Sequence, residues 1–403
     1  MIPIYFRARF FVLQISLLIL VTCGCNKEHT MDVNTSGSKT ITIEFPDQSS
    51  MQKNADSLVK HIDSCSFIQL ETNAQCLIGE IAKTIIHQNR LYILDSYVTN
   101  AVYIFDLEGT WISTIAKKGH GPGEYINISD MYIDKANTTL NLVAYANKKI
   151  MTFDLEGKKL LEERAFNFSI WNAECFPDGT LTGYTNNRSK AFPSSPRIIC
   201  FKDKELQTVA YTALPIPAGW ESSGLGLESV FSVHDSSIYY LEPIQNKVYQ
   251  IRRDSIKLVY AFDFKSLNPD PKLTFEGLQK IDPSKRGDKI LQIDGFSPLP
   301  NGFVVELEYN GRSKLVFVTN NGQKAEPYLL DDNPLLKPFR FGFSVSLADG
   351  VLITQLSPNY VQKKIKRDDY SPKYPESAKI TQRDIRKPIL EDDNPILCIY
   401  HLK

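Results

Sequence analysis

The chain has 403 residues, and its 46 Lys and Arg equal its 46 Asp and Glu, so the formal charge is zero. That balance removes the electrostatic footprint of a nucleic-acid binder. Hydrophobic content of 42%, with 22 Phe and 19 Tyr, fits a globular body rich in β-structure.

The first element is an export signal over residues 1–24. Arg7 and Arg9 form its positive end, and Phe10 to Val21 its apolar stretch, too short for a span of about 20 residues. It ends in Thr22-Cys23-Gly24-Cys25, where a small residue directly precedes Cys25. This resembles a bacterial lipoprotein signal, which implies cleavage before Cys25, acylation of its thiol and an N-terminal membrane anchor. Asn26-Lys27-Glu28 loosely resembles the charged tag of surface lipoproteins in the Bacteroidetes. The location implied is the outer membrane, with the body facing either the periplasm or the outside. Residues 25–63 are polar and read as a flexible tether, with one short β-like piece at Thr40 to Phe45.

Residues 64–403 carry a repeat. Phe105-Asp106-Leu107-Glu108-Gly109 joins two strand-like runs, the aspartate capping a turn and the glycine taking the positive φ it needs. The same five letters return as Phe153-Asp154-Leu155-Glu156-Gly157, 48 residues on. Val318 to Gly322 and Lys247 to Phe262 are weaker versions of that hairpin. Four short strands every 40–50 residues are the signature of an all-β propeller. The parse gives six blades: Ile78 to Ala116, Tyr125 to Phe166, Ser169 to Thr212, Glu228 to Phe264, Ile290 to Leu330, and a sixth starting at Phe339 to Gln355. The sixth lacks its outer half, which Pro395 to Leu402 and Phe67 to Glu71 can supply, closing the ring with strands from both ends. Cys65 and Cys398 fall on those closing strands, which makes a disulfide latch between them an expectation to test. Surplus length sits in Asn186 to Pro196, Pro215 to Leu227, Lys265 to Lys289 and Ser357 to Asn394, the last with a helix expected around Glu376 to Arg386.

Three motifs carry a family resemblance: the corner Gly119 to Tyr125 (GHGPGEY), FIQLET followed by IGEIAK ending at Lys83, and the terminal EDDNPILCIYHLK. Together they are similar to the six-bladed β-propeller lipoproteins of the Bacteroidetes, relatives of the NHL-repeat propellers. The resemblance implies six blades and a lipid anchor, and it implies no particular activity.

No chemistry is compelled. The glycine-rich corner lacks the Lys-Ser/Thr of a phosphate loop and precedes a strand, so it reads as a blade-to-blade connection. The histidines show no HxH or HExxH pair, and no Gly-x-Ser-x-Gly elbow occurs, so no catalytic residue is assigned. Candidate ligand-binding residues at the central channel are Glu80, Glu124, Tyr125, Asp130, Glu174, Glu228, Asp294 and Arg340, near the starts of predicted inner strands. The expectation is an extracytoplasmic binding module for an envelope protein or glycan, with no cofactor and no nucleic acid. The competing expectation is a metal-dependent hydrolase or lyase acting on a lactone or glycan, using a divalent cation in the channel.

Overall fold

The computed structural model describes residues 29–45, 61–188, 191–221, 230–242, 245–282, 289–310, 312–319, 324–329, 344–348, 350–359, 361–362 and 388–403. The expected signal, Cys25, Glu228, Arg340 and the expected helix near Glu376 lie outside them.

An N-terminal strand β1 (Lys39–Thr42) comes first, then β2 (Ile62–Gln69). The six blades follow as four-stranded antiparallel sheets. Blade one is β3 (Lys83–His87), β4 (Arg90–Asp95), β5 (Ala101–Asp106) and β6 (Trp111–Ile115). Blade two is β7 (Asp130–Asp134), β8 (Thr139–Ala144), β9 (Lys149–Asp154) and β10 (Leu160–Ala165). Blade three is β11 (Asn172–Cys175), β12 (Leu181–Tyr184), β13 (Pro196–Phe201) and β14 (Val209–Pro215). Blade four is β15 (Phe231–His234), β16 (Ser237–Glu242), β17 (Lys247–Arg252) and β18 (Ser255–Asp263). Blade five is β19 (Ile293–Leu299), β20 (Gly302–Tyr309), β21 (Arg312–Thr319) and β22 (Lys324–Leu329). Blade six contains β23 (Ser344–Ala348), β24 (Val351–Leu356) and β25 (Ile396–Leu402), and β2 completes it in the order β2-β25-β24-β23. The innermost strands β3, β7, β11, β15, β19 and β23 touch their neighbours in cyclic order, which closes a six-bladed β-propeller.

The core is divided among the six spaces between blades. One buried cluster lies between blades one and two (Tyr92, Ile104, Met131, Leu142), another between three and four (Ile198, Tyr211, Tyr240, Ile251), and so on around the ring. Each sheet is therefore covered on both faces. This explains why β5 reads AVYIFD as a nearly continuous apolar run, with five of its six residues buried.

The two identical pentapeptides fold identically. Gly109 (φ +83°) donates its N–H to the Asp106 carbonyl, and Gly157 (φ +65°) does the same to Asp154. In each turn the aspartate carboxylate accepts the N–H four residues on, from Thr110 at 2.7 Å and from Lys158 at 2.9 Å.

Closure uses both chain ends, with β2 antiparallel to β25 and Phe67 opposite Cys398. Cys65 lies opposite Tyr400 in that register. The two cysteines thus stand on a diagonal, where Cα atoms are roughly 7–8 Å apart, beyond the usual reach of about 4.4–6.8 Å for a disulfide.

The stretch expected to be tether is, over residues 29–45, a strap on the ring's outer edge. Met31 donates to the Thr212 carbonyl (2.7 Å) and Thr212 to that of His29 (2.9 Å), a parallel bridge to blade three. β1 then pairs in parallel with β18, Ile41 opposite Phe262, as a fifth strand of blade four. Ile41 and Ile43 are buried, and Phe45 meets Tyr309 of blade five at 5.2 Å between ring centroids. Polar side chains on the strap's outer side hide this role in the composition.

Candidate functional site

The strands of a blade alternate in direction, so its connections divide between the two faces of the ring. First-to-second and third-to-fourth strand turns emerge on one face. Second-to-third turns and the crossings to the next blade emerge on the other. The first face carries short turns such as Gln88-Asn89, Asp235-Ser236 and Arg253-Asp254. The described ends of all four surplus segments, and the GHGPGEY corner, lie on the second. Among them is a short helix α1 (Phe275–Lys280), whose Thr274 hydroxyl caps the N–H of Gly277.

This long-connection face is built on buried polar anchors. Asp95, at the end of β4, accepts N–H bonds from Gly79 (2.8 Å), Glu80 (3.1 Å) and Val98 (2.9 Å) and the Thr99 hydroxyl (2.7 Å). Burial pushes its carboxyl up, but these bonds outweigh it and hold it below the ordinary range. The loop before β3 and the turn after β4 are thereby fixed to each other. Between blades one, two and three, Asp130 pairs with Lys83 at 2.7 Å and accepts the Ala173 N–H at 3.1 Å. Burial pushes the Asp130 carboxyl up, against the pull of the Lys83 ammonium. Between blades three and four, Arg197 forms a buried ion pair with Glu242, which also accepts the Tyr249 hydroxyl at 2.8 Å.

Two exposed features sit on the same face. Among the described residues, six large hydrophobic side chains are exposed, and five of them (Leu77, Tyr97, Val98, Ile126, Leu390) project from long-face connections at 42–65% exposure. Four of these group at blade one. Val98 packs over Gly79, the Leu77 carbonyl accepts the Tyr103 hydroxyl (2.8 Å), and the Ile126 carbonyl accepts Asn100 (2.9 Å). Further round, Trp171 is half-buried with Tyr145 at 4.5 Å and the exposed Arg188 guanidinium 5.9 Å over its ring.

The channel candidates disperse. Glu80 is exposed, and Glu174 and Asp294 are half-buried on β11 and β19. The Glu124 carboxylate folds back onto the Gly121 N–H at 2.9 Å, filling the place a β-carbon on Gly119 would take. That is why Gly119 (φ +156°) stands there. Tyr125 does not face the channel. It is fully buried between blades one and two, its hydroxyl donating to the carbonyls of Asn100 (2.9 Å) and Ile115 (3.0 Å). Asp130 is likewise enclosed, satisfied by Lys83 and backbone N–H groups, and not open to a ligand. Among the described residues no group of three or more His, Cys, Asp or Glu converges to hold a metal ion. Sequence reasoning missed Lys83, Trp171, Arg188, Arg197 and Glu242. Only Arg197 left a signal, as a charge inside the apolar run Pro196 to Phe201.

The molecule is thus a six-bladed β-propeller with one plain face and one elaborated face. It belongs to the family described as a domain of unknown function (DUF4934), whose profile matches residues 40–401. Among solved structures it is similar to a protein described as exported, from Bacteroides fragilis NCTC 9343, at 17% identity over 91% of this chain and 100% of that one, with a TM-score of 0.68. A member of the DUF4221 family from Bacteroides vulgatus ATCC 8482 is similar at 11% identity over 85% and 97% of the two chains, with a TM-score of 0.50. No curated protein matches.

Proposed function

We propose that this chain is a lipid-anchored, extracytoplasmic binding module of the cell envelope, akin to NHL-repeat-like lipoprotein propellers, that docks a protein partner on its long-connection face. The observation that carries the reading is the exposed apolar group of Leu77, Tyr97, Val98 and Ile126 on that face. Exposed apolar patches rimmed by polar residues mark interaction sites. Three of the four side chains are aliphatic, which favours a protein over a sugar, since sugars stack on aromatic faces. Acylation at Cys25 supplies the anchor, and the exported Bacteroides neighbour is in keeping with a location outside the cytoplasm.

The test is affinity capture from envelope extracts with the mature chain, wild type against Val98→Asp and Tyr97→Asp. Both positions are exposed, so the fold survives the change. A partner retained by wild type and lost by both variants supports the reading. Retention unaffected by them, with loss on substituting Trp171 and Arg188, would move the site toward a glycan.

A further inference from the structure

We infer that the short-turn face of the propeller lies toward the membrane, with the edge of blade three closest, and that the long-connection face points away. This rests on acylation of Cys25. The strap fixes where the chain enters the body. His29 is held by its carbonyl to Thr212 in a parallel bridge to β14. Both chains therefore run the same way, and β14 runs from the short-turn face to the long-connection face. The chain reaches His29 from the short-turn side.

Four residue steps separate His29 from Cys25, a reach of at most about 14 Å. The strap ties residues 29–45 of the stretch that composition assigned to a tether onto the ring. An acylated Cys25 would then hold the blade-three edge within one short segment of the lipid headgroups, not on a long flexible leash. The consequence is functional: Tyr97, Val98 and Leu390 would stand on the far side of the ring, presented to whatever approaches the membrane.

The test uses the full mature lipoprotein in phosphatidylethanolamine/phosphatidylglycerol vesicles, with acylation checked by mass of the N-terminal peptide. Single environment-sensitive fluorophores are placed through Glu205→Cys and Asp254→Cys on short turns, and Tyr97→Cys and Leu390→Cys on the other face. All four side chains are exposed. Headgroup spin-labelled lipid should extinguish emission at 205 and 254 and spare 97 and 390. Inserting a twelve-residue Gly/Ser spacer between Glu28 and His29 should erase the contrast. Acylated protein quenched equally at all four positions, or more at 97 and 390, overturns the orientation alone. An unmodified Cys25 overturns the anchor itself, and the mass distinguishes the two failures.

Discussion

The Arg197–Glu242 pair offers a sharp perturbation, because it crosses from blade three to blade four with both charges out of reach of water. Glu242 is fully buried and the Arg197 side chain is 4% exposed. Glu242→Gln keeps the shape and leaves an acceptor for the Tyr249 hydroxyl, so it removes little besides the charge. A guanidinium left buried without its counter-ion costs about 3–5 kcal/mol, because it cannot recover hydration. Replacing both members, as in Arg197→Met with the same Glu242→Gln, should return most of that loss, since no buried charge remains and the Tyr249 hydroxyl keeps its acceptor. The assay is a double-mutant cycle in urea, following tryptophan fluorescence and comparing midpoints at constant slope. If Glu242→Gln unfolds at the wild-type midpoint, the guanidinium is hydrated and the reasoning fails. If the double variant is as unstable as the sum of the singles, the pair is not the unit of cost.

Asp294 should make stability depend on pH. Burial pushes its carboxyl up to about 6, helped by the Glu308 charge and opposed by the Gln292 amide. A folded-state value above the unfolded one means the protonated form is favoured on folding, so this group's contribution to stability is greatest below about pH 4 and is lost as pH rises through about 6. Asp294→Asn should remove that slope, gaining up to about 3 kcal/mol above pH 7 and nothing at pH 4. A parallel pH profile of variant and wild type would contradict it. Gly109→Ala should cost more than 1 kcal/mol, from positive φ and from a β-carbon driven against the Gln69 carbonyl. The unfolding midpoint reads it, and a neutral substitution would show that the turn relaxes.

The fold was legible because its signals are local. Hairpins such as Asp106 to Thr110 announce themselves through turn chemistry within five residues, and the strands on either side fall at Ala101–Asp106 and Trp111–Ile115. The closing strands were legible because an incomplete blade six leaves two edges that only the termini can satisfy. The strap was not. The alternation at Thr40 to Phe45 marks a strand, but parallel pairing to β18 is a contact across more than two hundred residues with no turn to betray it. The site was harder for another reason. Asp130 and Tyr125 look like channel ligands in one dimension, because polar groups near inner-strand starts serve equally well as anchors between blades. Only the partners decide, and Lys83 and the Asn100 carbonyl are fixed by the ring, not by spacing.

The division of long and short connections is itself informative, because topology dictates only half of it. A crossing from an outermost strand to the next innermost one must traverse three strand spacings of about 4.8 Å, so it cannot be a tight turn. The turn between second and third strands carries no such demand. In blade one Ser96 to Asn100 suffices, yet blade six spends residues 357–395 on the same connection. Joining the second strand to the third needs no such length, which makes the surplus a candidate part of the proposed recognition surface. Excising 363–387 leaves Val361 and Ile389 in the core beside Leu356. Shortening the loop lowers its closure entropy cost by about 1 kcal/mol. The shortened chain should therefore unfold at or slightly above the wild-type midpoint while losing retention of the envelope partner. A large drop in the midpoint would make the insertion a structural part of blade six, and unchanged retention would remove it from the recognition surface.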